Sequence, residues 1–101
     1  MYSVVLCTSK RNEAKKMAIT LVKERLAACV NVFPVSSVYR WKGKIVKDSE
    51  TLMVIKAKSS LFGKLSERIK SLHSYSIPEI LEIKVSRGNK KYLDWLSDST
   101  R

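Results

Sequence analysis

The chain has 101 residues, 45% of them hydrophobic, and sets 20 Lys and Arg against 9 Asp and Glu for a formal charge of +11. That length holds one domain with a single core, and no apolar run approaches the roughly 20 residues a membrane helix needs. The basic residues are scattered over every segment, a pattern that suits a solvated surface as well as an anionic partner.

Tyr2 to Thr8 is a short β-branched apolar run that predicts a buried strand, after which Ala14, Met17, Ala18, Leu21 and Val22 recur at helical spacing. Ser9 or Asn12 is the expected cap of that helix. Cys29–Trp41 and Lys44–Lys58 read as two long strands joined at Lys42-Gly43, where glycine supplies the backbone freedom of a two-residue turn. Ser59 or Ser60 is then the expected cap of a second helix, with Leu61, Phe62, Leu65, Ile69 and Leu72 as its inward stripe. Ile80 to Ser86 is predicted as the last strand and Asn89 to Asp98 as a closing helix, seated on the sheet by Tyr92 and Trp95.

The order βαββαβ predicts an α+β, ferredoxin-like sandwich over residues 1–101 as one domain, with strand order 4-1-3-2, a long β2-β3 hairpin and a short C-terminal helix. Pro34 agrees, because it cannot donate a ladder hydrogen bond and the second strand is an edge in this order. At roughly 3.3 Å per residue the first strand spans about 23 Å and the hairpin arms about 40 Å, so the hairpin tip overhangs the sheet. With the turn at Lys42-Gly43, Trp41 faces Lys44 and Tyr39 faces Val46, leaving aromatic and aliphatic surface wet. Such surface marks an interface. A nucleic-acid platform on this fold needs aromatics on the two central strands, yet "SETLMVIKAK" has none and the first strand has only Tyr2. The hairpin therefore reads as a clasp for another protein chain, and nucleic acid is not the expected partner.

No phosphate-cradling glycine loop or nucleophile elbow is present, and a single His, His73, is available as a base near neutral pH, so no enzymatic activity is expected. Cys7 and Cys29 lie in apolar surroundings without C-x-x-C spacing, and "MYSVVLCTS" lacks the basic start and long apolar run of a secretory signal. A reduced, cytoplasmic setting is the expectation.

Five stretches carry a resemblance: "ERLAACVNVFP" from Glu24, Ser37-x-Tyr39-x-Trp41-x-Gly43, Glu50 with Lys56 six positions on, "HSYSIPEI" from His73, and Gly88-x-x-x-Tyr92-x-x-Trp95. In this order and spacing they resemble the CutA divalent-cation-tolerance family over nearly the whole chain. The resemblance implies a homotrimer with an architecture similar to the PII signalling proteins, hairpins reaching to neighbouring subunits, and tolerance to copper or other divalent cations without catalysis. It also implies a metal role for a His-His pair before Pro-Tyr and for a first-strand cysteine. The matching positions here are Leu72 and His73, followed by Ser74, and Cys7, so one imidazole is absent. A thiolate with an imidazole suits Cu(I), and imidazole suits Cu2+, but one of each is half a site. Two readings stay open for each: His73 as ligand or as a helix-ending residue, Cys7 as ligand or as core. Glu50, Lys56, Tyr75 and Glu79, with Tyr39, Trp41 and Trp95, are candidates either for an inter-subunit cleft that takes a small, for instance anionic, ligand or for an interface network.

Overall fold

A computed structural model describes residues 1–101. Its elements are β1 (Tyr2–Ser9), α1 (Arg11–Lys23), β2 (Cys29–Trp41), β3 (Lys44–Lys58), α2 (Phe62–Leu72), β4 (Ile80–Val85) and α3 (Lys90–Ser99), with one 3-10 turn at Ser59–Leu61 leading into α2. The four strands form one antiparallel sheet in the order β2-β3-β1-β4, which is the expected 4-1-3-2 read from the other edge.

Strand alternation decides which side chains meet the helices. Val5 and Cys7 of β1 and Met53, Ile55 and Ala57 of β3 point to one side, where Ala14, Met17 and Leu21 of α1 and Leu65 and Ile69 of α2 close over them. Leu65 and Ile69 are four apart, hence on one helical face. Each such aliphatic side chain taken fully from water contributes about 1.5–3 kcal/mol.

The other face of the sheet is largely bare. Leu81 and Ile83 of β4 are 55% and 51% exposed, and the register sets Leu81 beside Leu6 of β1, which in turn lies beside Val54 of β3. Leu52 and Phe33 are cross-strand partners on this same side, and Phe33 too is exposed. Only α3 packs near it, against β3.

β1 pairs with β3 only over Thr51–Lys58, so Lys44–Glu50 and their partners Val35–Trp41 leave the sheet as a free two-stranded ribbon. The ribbon makes the molecule 45 Å long against 25 and 22 Å in the other directions. At its tip Lys42 and Gly43 both have positive φ, 50° and 79°, the pairing that a type I′ hairpin turn requires. A Cβ on Gly43 would meet nothing, so glycine is favoured there for its conformation alone.

The helix starts differ from expectation, for a common reason: the serines are already committed. Ser9 is still in β1, paired with Thr51, and its Oγ donates to the Lys10 carbonyl, so Lys10 precedes α1 without a side-chain cap and Asn12 lies inside the first turn. Ser59 Oγ is 2.6 Å from Ser3 Oγ, and the chain makes its 3-10 turn before α2 begins at Phe62. β4 ends at Val85, one residue early, and α3 starts at Lys90 because Asn89 is its cap. Asn89 Oδ1 accepts from the Lys91 and Tyr92 amides at 3.0 and 3.3 Å. Asn89→Ala is expected to lower unfolding free energy by about 1 kcal/mol, read as an earlier urea midpoint with unchanged slope. The anchor of α3 is Leu96, which is buried, whereas Tyr92 and Trp95 stay about half exposed with their rings 5.4 Å apart.

Candidate functional site

A cleft of about 690 Å³ opens where β1 stops and the ribbon continues. One wall is made by the segment 73–79, which leaves α2 and passes the end of β1 before entering β4. Three contacts hold this segment. The His73 ring has Nε2 2.7 Å from the Thr8 carbonyl oxygen, while Nδ1 accepts the Tyr75 amide at 3.1 Å. Because a carbonyl only accepts and an amide N–H only donates, the proton sits on Nε2 and both ring nitrogens are in use. Glu13 of α1 accepts from the Ser74 amide and hydroxyl at 3.2 and 2.7 Å, bonds that hold its carboxyl below the usual range. Tyr75 then donates its hydroxyl to Glu50 Oε2 at 2.8 Å. Burial, followed by that bond to Glu50, pushes the Tyr75 phenol well above its ordinary value.

The facing wall is the ribbon. Tyr39 and Trp41 of β2 stand there with Asp48 of β3, and the Tyr39 hydroxyl lies 3.5 Å from Asp48 Oδ2. Desolvation first, and Asp48 second, raise the Tyr39 phenol. Asp48 and Glu50 are two apart on β3 and so share a side, while Glu79 comes from the end of the 73–79 segment. The cleft thus gathers Tyr39, Trp41, Glu50, Tyr75 and Glu79 of the expected set.

Lys56 and Trp95 are elsewhere. Lys56 shares the Glu50 side of β3, but six residues put them about 20 Å apart, and its ammonium bonds the Asn31 side-chain oxygen. Trp95 sits on α3 beside Tyr92. Sequence reasoning missed Asp48, although its two-residue offset from Glu50 was a usable signal. It also missed the Glu13–Ser74 tie, for which a separation of 61 residues leaves no local trace.

Cys7 is fully buried on the helix side of β1, with its Sγ 3.7 Å from the Thr8 carbonyl oxygen. Burial, then the charges of Glu79 and Glu50, push the thiol up to about 12, so at neutral pH it is an SH. A metal-binding cysteine must be a thiolate and a metal-binding imidazole needs a free lone pair. Neither Cys7 nor His73 presents its donor in this conformation, and no three His, Cys, Asp or Glu side chains gather as ligands. The donors therefore do not fit a resident copper centre within one chain. The carboxylates around the cleft also oppose an anionic ligand.

The family described as CutA1 divalent ion tolerance protein matches residues 3–99. The chain belongs to this family. It is 48% identical over 102 residues to the divalent-cation tolerance protein CutA of Thermus thermophilus, with 99% of each chain covered. It is also 43% identical over 99 residues to the chloroplastic protein CutA of Arabidopsis thaliana, spanning 97% of this chain and 54% of that one, about half its length. Among solved structures it is similar to the divalent cation tolerance protein from Thermus thermophilus, with a TM-score of 0.96, 47% identity and both chains covered completely. As a CutA chain it departs from the implied His-His-Pro-Tyr pattern in a structurally intelligible way. Leu72 packs on the core where a histidine was implied, and Ser74 uses the amide that proline lacks to bond Glu13. No helix is long and apolar enough to cross a membrane.

Proposed function

We propose that this CutA chain works as a non-enzymatic, cytoplasmic homotrimer in the response to copper and other divalent cations, its subunits joined through the bare sheet face and the hairpin. The observation that carries this reading is the continuous apolar surface from Leu81 and Ile83 across Leu6 and Val54 to Phe33, on a sheet whose helices cover only the opposite side. Val38 and Ile45, 66% and 60% exposed, add apolar surface on the opposite side of the ribbon, the side Met53 and Ile55 share. Apolar surface of that extent is sheltered in solution by another chain. Three is the number the family resemblance implies.

Cation contact is weak in this reading, because one chain assembles no three-ligand group. Cu2+ titrated calorimetrically into wild type and His73→Ala is expected to give small and equal heats. A saturating heat seen only in wild type would place the ion on the imidazole and overturn the weak-contact reading. The nucleic-acid reading has less support, since the open face is aliphatic and β1 and β3 bring no aromatic pair to it.

A further inference from the structure

Of the nine carboxylates, Glu24, Glu67, Glu82 and Asp94 stand in ion pairs and Glu13 holds Ser74. Three of the remaining four, Asp48, Glu50 and Glu79, line the cleft at the ribbon root. In a chain with 20 basic side chains this is an unusual place to leave negative charge uncompensated.

Glu50 is the informative member. It is more than nine-tenths buried, yet no basic side chain lies within ion-pair distance of it. Oε2 takes the Tyr75 hydroxyl, whereas Oε1 has no hydrogen-bond partner and is not sealed off, so it is open to the cleft. A carboxylate so far removed from water needs a counter-charge. The surrounding walls specify which kind. Tyr39, Trp41 and Tyr75 line the same space, and the Lys42 ammonium 6.0 Å from the Trp41 ring centroid shows the kind of charge such rings attract through their quadrupole. A bare divalent ion would gain little from those rings and finds no three-ligand group. Lys10 and Arg11 stand at the α1 edge of the cleft, both exposed and in no ion pair with the three acids. They limit the site to a compact cation, since a long polyamine would run into their charge.

We propose that this cleft binds a small organic ammonium ion, with Glu50 as counter-charge and Tyr39, Trp41 and Tyr75 as the aromatic walls. The raised phenols of Tyr39 and Tyr75 agree, each being desolvated beside a carboxylate. The proposal rests on this cleft staying open when chains join through the bare sheet face and the hairpin.

Trp41 supplies the readout. In a Trp95→Phe background, which leaves Trp41 as the one tryptophan, choline is titrated at constant ionic strength while Trp41 fluorescence is followed. A saturable change is expected, with 3,3-dimethyl-1-butanol, the neutral molecule of the same shape, giving none. Glu50→Gln is expected to weaken choline about tenfold, the loss that follows when a desolvated ammonium gives up its carboxylate. If Glu50→Gln fails to fold, Glu79→Gln tests the same charge, with a smaller weakening expected. No saturation, an equal response to the neutral alcohol, or unchanged affinity in both variants overturns the proposal. A basic side chain of a second copy already seated in the cleft would show as no saturation.

Discussion

Leu81→Lys is expected to turn a trimer into folded single chains. In wild type, sedimentation velocity at micromolar concentration should return three times the 11.5 kDa of one chain, and in the variant 11.5 kDa itself. The expectation rests on where Leu81 stands: mid-strand on β4, beside Leu6, on the side the helices leave bare. In the isolated chain it is more than half exposed, so a lysine there changes fold stability by no more than about 0.5 kcal/mol. In an assembly each copy would instead bury an unpaired ammonium, at about 3–5 kcal/mol apiece. Repeated in three subunits, that exceeds what the remaining surface supplies. Salt gives an independent check. Three chains at +11 repel one another, and the Debye length of about 10 Å at 0.1 M shortens to about 3 Å at 1 M. The wild-type melting temperature should therefore rise with sodium chloride, and the Leu81→Lys chain should respond less. A compact wild-type monomer, or a melting temperature that falls with salt, would remove the trimer from the reading.

The fold was legible because its decisive signals are local. Gly43 after Lys42 fixes the hairpin turn, the turn fixes the pairing of Trp41 with Lys44 and Tyr39 with Val46, and Pro34 marks the edge strand. The overhang followed by simple length. Caps were less legible, since Ser9 and Ser59 are good capping residues by type but are spent on the Lys10 carbonyl and on Ser3, contacts set by the strands. The site was half legible. Motif spacing grouped Glu50 with Lys56, whereas a strand of six intervening steps separates them and a chain reversal at 73–79 delivers Tyr75 to Glu50 instead. His73 shows the same limit most sharply. Its composition says ligand, but its two nitrogens answer to Thr8, 65 residues away, and to Tyr75.

Alkaline pH should expose the burial of Cys7 as a loss of stability. Its thiol is raised in the folded chain from the ordinary 9.0 to about 12. A raised value means the folded state holds the proton more tightly, so the contribution is fully present below about 9 and is lost as pH climbs through the folded value. Between these limits the unfolded chain sheds its proton while the native chain keeps it, which lowers unfolding free energy by about 1.4 kcal/mol per pH step, up to about 4 kcal/mol across the window. Lysines discharging near the same pH relieve the +11 repulsion and work in the opposite direction, and the raised phenol of Tyr75 adds a loss that begins higher. Both are common to wild type and Cys7→Ala, so the difference between the two isolates the thiol. At neutral pH Cys7→Ala should be the less stable by about 1 kcal/mol, from the small cavity it leaves among Val5, Met53 and Leu65. Above about pH 9 the urea midpoints should converge and then cross, because only wild type pays for keeping a buried thiol protonated. Midpoints that stay parallel up to pH about 11 would mean that Cys7 ionises in the folded chain as readily as in the unfolded one, against its burial among helix-facing side chains, and would overturn the expectation.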